Sequence, residues 1–284
     1  LSQILTDANY NPSYMFGGLS IDDTPSAING SGVWNVLEGD EYKTARWDNS
    51  PKFAHYDPTH LLLTAVEWDH ADIYPTEQKY FETFETLVQS LPANGLLVVS
   101  ERAHEYAEFA SCNTVSYGLS EHNDYMYSNL VSNKDGIEFD ITHDEKTYHI
   151  HSPFISEYQA ENITGSFALA HSIGIKPDSI IRSIASHQGL RRRMEKRLDG
   201  PITVIDDIAH SPTKAASALS TVRKITKGKV IALFEPNTGN RQQSAAAGYA
   251  HAFKDADMII IPRLTIIKTD KTTDVPLDGG DLTE

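Results

Sequence analysis

The stretch "THLLLTAVEWDHADIYP", residues 59–75, decides the fold of this chain. Its first part is an apolar run that predicts a buried strand. Polar and ionisable side chains crowd the positions directly after that strand: Glu67, Asp69, His70, Asp72 and Tyr74. Because ligands of open α/β sheets bind outside the carboxyl ends of the strands, the stretch indicates a binding site at a sheet edge.

Apolar runs alternate with helical patterns on both sides of this stretch, which is typical of an α/β protein with a largely parallel sheet. The alternating run "GIEFDITHDEKTYHIHSPF", residues 136–154, predicts an antiparallel hairpin that turns near Asp144 and Glu145. The other predicted elements of this part are strands at residues 33–37, 59–66 and 95–100 and helices at residues 76–91, 162–175 and 177–187.

The pair Gly200–Pro201 predicts a domain boundary, which divides the chain into residues 1–199 and 200–284. After the boundary the alternation of strands and helices begins again. The predicted strands are "ITVIDDIA", "KVIALFEP" and "DMIIIPRL", and the helices cover residues 213–225 and 243–256. A second α/β domain that resembles a nucleotide-binding fold is therefore expected.

Composition excludes several classes of function. The chain has 284 residues and a net charge of −15, which argues against nonspecific binding to nucleic acid or to an anionic membrane. A local basic cluster could still bind an anionic nucleotide. Cys112 is the only cysteine, so no intrachain disulfide or cysteine-rich zinc site is possible, and a cytoplasmic location fits. No apolar run approaches the roughly 18 residues that a membrane helix needs.

Two groups of ionisable residues are candidate metal sites. Glu38, Asp40 and Glu41 end the strand at residues 33–37, where carboxylate oxygens suit Mg²⁺, although a solvated acidic turn explains them as well. His70 and its acidic neighbours repeat the arrangement after the next strand. A helix N-terminus would explain those acidic residues but gives His70 no role, and Mg²⁺ prefers oxygen, so composition alone does not make His70 a ligand.

The run "GLRRRMEKR", residues 189–197, holds five cations within nine residues. Such a run is usually a solvated helix face. It lies at the predicted boundary, however, and arginine is suited to bidentate contacts with phosphate. A cleft between two α/β lobes would also account for the polar residues that end strands of the second domain: Asp206, Asp207, His210, Glu235 and Arg241.

The run "LEGDEYKTARWDNSPKFAHYDPTHLLLTAVEWDHADIYP", residues 37–75, resembles the central domain of the Mur ligases, the ATP-dependent amino-acid and peptide ligases of the bacterial cell wall. Further segments similar to motifs of this family are "QGLRRRMEKR", "IDDIAHSPT" and "FEPNTGNR". Trp68 and Ala71 favour the murein peptide ligase branch over the alanine-adding branch. The resemblance implies an ATP-binding central domain with a parallel or mixed sheet, followed by a Rossmann-like C-terminal domain.

The resemblance also implies which residues bind metal and act in catalysis. Glu38 would coordinate Mg²⁺ between the ATP phosphates, and His70 would hold a second Mg²⁺. The two residues would lie at adjacent strand ends and face one cleft. Arg193 would reach the γ-phosphate, so that catalysis would rest on Arg193 and His70.

Four more positions match binding residues of the family. Asn162, in "AENITGSFALA", would lie at the adenine. Asp207 and His210 would meet the nucleotide from the second domain, and Arg241 would lie near the incoming amine.

The implied reaction joins UDP-N-acetylmuramate to the murein tripeptide L-alanyl-γ-D-glutamyl-meso-diaminopimelate through an acyl phosphate, in cell-wall recycling. ATP and Mg²⁺ are the implied cofactors. Two alternatives stay open. One is the ligase that adds L-alanine to the same sugar nucleotide, and the other is a binding homologue that lacks the phosphate loop.

The chain departs from the family pattern at several positions. Glu161 stands where the family has histidine, Gly165 where it has a second asparagine, and Ser211 where it has a second histidine. No Gly-x-x-x-x-Gly-Lys-Ser/Thr loop occurs, and in the family this loop directly precedes the helix that begins here as "LSQIL". We therefore expect both domains to be truncated, with the phosphate loop and a UDP-sugar domain upstream, and the fragment alone to be inactive.

Overall fold

A computed structural model describes residues 1–67, 73–237 and 246–262. The chain folds as two compact units. The first comprises residues 1–131, 137–153 and 157–188, and the second comprises residues 132–136 and 154–156 together with the chain from Gly189 onward. Residues 189–199, which the sequence prediction assigns to the first domain, are grouped with the second unit.

The chain up to Gln188 contains both strands and helices, but several strands follow one another between successive α-helices, so the predicted regular alternation is not observed. Two 3-10 helices, Lys52–His55 and Glu101–Phe109, connect some of these elements. In chain order the elements are α1 (Ser2–Asp7), β1 (Ser13–Met15), β2 (Ala27–Ile28), β3 (Asn35–Leu37), β4 (Lys43–Ala45), β5 (Asp48–Pro51), β6 (His60–Leu63), α2 (Glu77–Gln89), β7 (Leu96–Ser100), β8 (Asn113–Gly118), β9 (Tyr125–Asn133), β10 (Gly136–His143), β11 (Lys146–Ser152), α3 (Tyr158–Ser172) and α4 (Pro177–Ser186).

A six-stranded sheet with the order β11-β10-β9-β8-β7-β6 forms the centre of the first unit. The pairs β6–β7, β7–β8 and β8–β9 are parallel, whereas β10 and β11 are antiparallel. Strand β7 is buried along its whole length, and Leu97, Val98 and Val99 have no exposed surface. A central parallel strand is covered on both faces, which explains its continuous apolar run. The predicted α/β class with a parallel-rich sheet is confirmed.

Helix α2 confirms the helix predicted at residues 76–91. Thr76 caps its N-terminus by accepting a hydrogen bond from the Lys79 amide. Its buried face is formed by Tyr80, Phe84, Leu87 and Val88, whose spacing is that of one helical stripe. These side chains pack in an aromatic-rich core with Phe53, Leu63, Tyr74 and Tyr106.

The predicted hairpin is also confirmed. Strands β10 and β11 pair from Ile137↔Ser152 to His143↔Lys146. The two connecting residues, Asp144 and Glu145, have φ values of 48° and 62°. Two consecutive left-handed residues are the mark of a type I′ turn, whose twist matches that of the flanking strands.

One expectation about strand neighbours is wrong. Strand β3, which leads to Glu38, pairs in parallel with β1 in a separate three-stranded sheet of order β2-β1-β3. Strand β6, which leads towards His70, is the edge strand of the six-stranded sheet. Succession along the chain suggested neighbouring strand ends, but β3 is only three residues long and its partner β1 carries little hydrophobic signal.

The second unit contains β12 (Glu195–Leu198), β13 (Val204–Asp206), α5 (Pro212–Ile225), β14 (Ile231–Leu233), α6 (Ala246–Tyr249) and β15 (Met258–Ile260). Strands β12 and β13 are antiparallel, and β14 and β15 are parallel. The core of this unit is Ala215, Phe234, Tyr249, Ala252 and Phe253. The basic run at residues 189–197 forms a turn followed by β12, so the solvated helix face considered for it is wrong. None of the described helices is long and apolar enough to cross a membrane.

Candidate functional site

Glu38 lies in an acidic loop, residues 38–42, that follows β3 and is fixed by local hydrogen bonds. The Glu38 amide donates to the Met15 carbonyl at 3.1 Å, and Glu38 Oε2 accepts from the Gly17 amide. Asp40 Oδ1 accepts from the Tyr42 amide at 2.8 Å. The segment from Met15 to Gly17 therefore holds both the Glu38 backbone and one of its carboxylate oxygens.

Lys52 and Tyr74 hold the same loop from other elements. Lys52 Nζ forms an ion pair with Asp40 Oδ2, and this hydrogen bond raises the pKa of Lys52. Tyr74 Oη donates to the Glu41 carbonyl at 2.6 Å. Tyr74 is one of the polar residues that the sequence places after β6, whereas Lys52 was not selected, since a lysine in this segment carries no motif of its own.

The acidic loop fits the Mg²⁺ that the sequence predicts. Within the described residues no group of three or more His, Cys, Asp or Glu side chains could hold a metal ion. Mg²⁺ bound with a nucleotide needs only one or two protein carboxylates, because water and phosphate oxygens complete its coordination. The described hydrogen bond of Glu38 uses Oε2, so Oε1 is the oxygen that can serve as a metal ligand.

A second polar cluster lies where β7 ends and α3 begins. Glu161 Oε1 accepts from Ser100 Oγ at 2.5 Å, and Glu161 Oε2 lies 3.6 Å from Arg102 Nη1. Arg102 also pairs with Glu67, which lies in the segment after β6. Only 16% of the Glu161 side chain is exposed. The carboxylate that replaces the family histidine is thus engaged by residues of this chain, whereas Asn162 beside it is exposed.

Gly165, one turn further along α3, packs directly against Tyr117. A Cβ at Gly165 would lie 2.6 Å from Tyr117 Cζ and 2.9 Å from Leu62 Cδ1. Tyr117 is fully buried, and its hydroxyl makes no hydrogen bond within the described residues. Burial and the neighbouring Glu161 carboxylate raise the pKa of Tyr117. The departure at Gly165 therefore has a packing reason.

In the second unit Arg193 is exposed on a turn, residues 191–194, that precedes β12. Its guanidinium makes no hydrogen bond or ion pair with the described residues. The Met194 amide donates to Asp207 Oδ2 at 2.9 Å, so the structure brings Arg193 and Asp207 together. Asp207 Oδ1 accepts from the Ala209 amide at 2.8 Å. Both of these hydrogen bonds come from backbone amides, which gives Asp207 a local structural role.

His210 lies three residues after Asp207 and is half-buried. Its Nδ1 lies 2.8 Å from the Ile208 carbonyl, which accepts a hydrogen bond when this nitrogen is protonated. The Asn237 amide donates to the His210 carbonyl at 3.2 Å and so connects two strand ends of the unit. Two predicted site residues, His70 and Arg241, lie outside the described residues.

Comparison with known protein families matches two models in the order that the resemblance predicts. Residues 36–170 match the Mur ligase middle domain, and residues 192–272 match the "Mur ligase, glutamate ligase domain". The chain belongs to the Mur ligase family. The first match includes the acidic loop and Glu161, and the second includes Arg193 and Asp207.

Curated Mur ligases resemble the chain over most of its length. The UDP-N-acetylmuramate–L-alanine ligase of Caldicellulosiruptor bescii is 27% identical over 92% of this chain and 57% of its own length. The UDP-N-acetylmuramate–L-alanyl-γ-D-glutamyl-meso-2,6-diaminoheptanedioate ligase of Haemophilus influenzae is 26% identical over 84% of this chain and 53% of its own length. The chain therefore spans little more than half the length of these relatives.

A solved structure supports the fold. The UDP-N-acetylmuramate–alanine ligase of Thermotoga maritima superposes with a TM-score of 0.76 at 20% identity. The match covers 92% of this chain and 57% of that structure. At this identity the similarity establishes the Mur ligase fold and leaves the choice of amine substrate open.

Proposed function

We propose that this chain is part of an ATP-dependent ligase that forms an amide bond between the carboxyl group of UDP-N-acetylmuramate and an amine. The observation that carries the proposal is the match of both Mur ligase models, over residues 36–170 and 192–272. The fixed carboxylate of Glu38 and the exposed guanidinium of Arg193 supply groups that this chemistry requires.

The proposed reaction has two steps. The muramoyl carboxylate attacks the γ-phosphate of ATP, which gives an acyl phosphate and ADP. The amine then attacks the acyl carbon, and phosphate leaves. Phosphoryl transfer depends mainly on positioning and on stabilisation of charge, so residues that hold phosphates matter more than a covalent nucleophile.

Each predicted site residue has a part in this proposal. When bound, Mg²⁺ would neutralise charge on the phosphates; Glu38 would hold it, and His70 would hold a second ion. Arg193 would contact the γ-phosphate, and Asn162 would contact the adenine. Asp207 and His210 would act at the nucleotide from the second domain, Asp207 through the turn that carries Arg193.

The murein tripeptide is the proposed amine substrate. The segment "NTGNRQQ", residues 237–243, offers amide and guanidinium partners for its carboxylates, with Arg241 as the main cation. Leaving a charged group unpaired in a binding site costs about 2–5 kcal/mol, so a multiply charged amine needs such partners. L-Alanine is the second candidate, because it is the amine named for the relative from Caldicellulosiruptor bescii. The proposed location is the cytoplasm.

The test measures phosphate release by the complete ligase with ATP, Mg²⁺ and UDP-N-acetylmuramate. We expect faster turnover with the tripeptide than with L-alanine, and a selective loss of tripeptide turnover in Arg241→Ala. Equal or faster turnover with L-alanine would identify the alanine-adding activity instead. ATP binding without turnover with either amine would favour the binding homologue.

A further inference from the structure

The turn that carries Arg193 has an unusual backbone. Arg192 has a φ of 58° and Met194 a φ of 52°, so Arg193 is flanked by two left-handed residues, neither of which is glycine. Side chains disfavour this conformation, and it persists only where the surrounding structure fixes it. Such residues concentrate at active sites, so the bonds that hold this turn bear on its function.

Two carboxylates hold the two left-handed residues. Glu195 Oε2 accepts from the Arg192 amide at 2.8 Å, and Asp207 Oδ2 accepts from the Met194 amide at 2.9 Å. The Arg192 carbonyl in turn accepts from the Ile208 amide at 2.8 Å. The backbone is thus fixed on both sides of Arg193, whose own side chain remains exposed.

Glu195 is a buried carboxylate, with 7% of its surface exposed. It lies opposite Asp206 in the pairing of β12 with β13. Arg197 lies between the two carboxylates, with Nε 3.2 Å from Glu195 Oε2 and Nη2 3.2 Å from Asp206 Oδ2. A buried charge is tolerated only when it is paired. The ion pair with Arg197 therefore allows Glu195 to remain charged while its Oε2 accepts the hydrogen bond from the Arg192 amide.

We propose that Glu195 is a positioning residue of the ligase, which with Asp207 holds the turn at residues 191–194 so that Arg193 presents its guanidinium to a phosphate. The inference rests on the proposed function, since it requires that Arg193 contact the nucleotide. Glu195 itself touches neither nucleotide nor substrate. It acts through the backbone of Arg192.

The test compares variants of the complete ligase in ATP-, Mg²⁺- and amine-dependent phosphate release. Arg193→Ala should lower kcat/KM for ATP by about 100-fold, as expected when one group that stabilises phosphoryl charge is removed. Glu195→Ala should lower it by about 10–100-fold, which is typical for loss of a supporting contact. Glu195→Gln should lie between Glu195→Ala and wild type, because its amide oxygen can still accept from the Arg192 amide.

The double variant separates positioning from a general loss of structure. If Glu195 acts through Arg193, adding Glu195→Ala to Arg193→Ala should lower kcat/KM by less than about threefold. Asp199→Asn is the matched control and should leave kcat/KM unchanged, because Asp199 is an exposed carboxylate just after β12, with Oδ2 3.5 Å from Lys196 Nζ. An equal loss from Glu195→Ala in both backgrounds would overturn the inference.

Hydrogen exchange gives a readout that does not depend on turnover. The Arg192 amide should exchange at least about tenfold faster in Glu195→Ala than in wild type, because its acceptor is lost. Unchanged exchange would overturn the inference even if catalysis were impaired. If Arg193→Ala leaves kcat/KM unchanged, the phosphate contact proposed for Arg193 is overturned together with the positioning role. Absence of phosphate release with both amines overturns the proposed function.

Discussion

Replacing Gly165 tests how tightly α3 is fitted to the central sheet. An added Cβ would lie 2.6 Å from Tyr117 Cζ, 2.9 Å from Tyr117 Oη and 2.9 Å from Leu62 Cδ1. Tyr117 has no exposed surface, so its ring has little room to move away. Overpacking costs about 1–3 kcal/mol, and three such contacts place Gly165→Ala at the upper end of that range.

The gain in helix propensity offsets part of this cost. Replacing glycine by alanine inside a helix contributes about 1 kcal/mol, which leaves a net destabilisation of about 2 kcal/mol. For a unit of this size, that corresponds to a fall of roughly 4–8 °C in Tm. Gly165→Asn, which restores the family residue, should be worse, because it also buries an amide that costs about 1–3 kcal/mol when unpaired.

Thermal and urea unfolding of the chain, followed by circular dichroism, measure these effects. Gly39→Ala is the matched control: nothing lies within 4 Å of the added Cβ, so stability should change by no more than about 0.5 kcal/mol. In a Tyr117→Leu background, Gly165→Ala should cost at least about 1 kcal/mol less than in wild type. If Gly165→Ala were as stable as wild type, the close packing of α3 against Tyr117 would be refuted.

Three further predictions concern other parts of the fold. Asp144→Asn combined with Glu145→Gly should stabilise the first unit by about 1 kcal/mol in urea unfolding, because Asn-Gly suits a type I′ turn; a loss of stability would contradict the turn. Burial, with the nearby His143 and Lys146, lowers the pKa of His171. Below pH ~6.5 the unfolded chain therefore binds more protons than the folded chain does. The contribution of neutral His171 to the free energy of unfolding is fully present above that pH and is lost as the pH falls through the pKa of the folded state. His171→Gln should therefore flatten the decline of Tm from pH 7 to 5, and a decline as steep as that of wild type would contradict this. The Arg223 guanidinium donates three hydrogen bonds, to the Asp255 and Gly228 carbonyls and to the Asp257 carboxylate. Lysine cannot make all three, so Arg223→Lys should destabilise the second unit by about 1–2 kcal/mol in thermal unfolding. An unchanged Tm would contradict this.

The sequence predicts the periodic elements of this fold well. The helix at residues 76–91 has one apolar stripe, and the hairpin at residues 136–154 alternates over two strands, so each pattern determines its own structure. The buried strand β7 is visible as an unbroken apolar run. Pairing between β1 and β3 is different, because strands of three residues carry too little pattern to identify a partner.

The candidate site could be predicted only in part. Motifs made Glu38, Arg193 and Asp207 candidates, because the segments that contain them resemble motifs of the family. Nothing local identifies Ser100 or Arg102, which join the site through contacts with Glu161, about 60 residues away along the chain. The left-handed backbone at Arg192 could not be predicted from the sequence either, because no glycine at this position indicates it.

The departures from the family pattern on α3 are explained by contacts within this chain. Glu161 is engaged by Ser100 and Arg102, and Gly165 leaves the space that the Tyr117 ring fills. Both replacements face the protein interior, where a change in one residue requires a change in its neighbours. Asn162 lies beside them but is exposed, so its side chain remains accessible to a ligand. We therefore propose Asn162 for the nucleotide contact on this helix, and Asn162→Ala should weaken nucleotide binding without the loss of stability expected at Gly165.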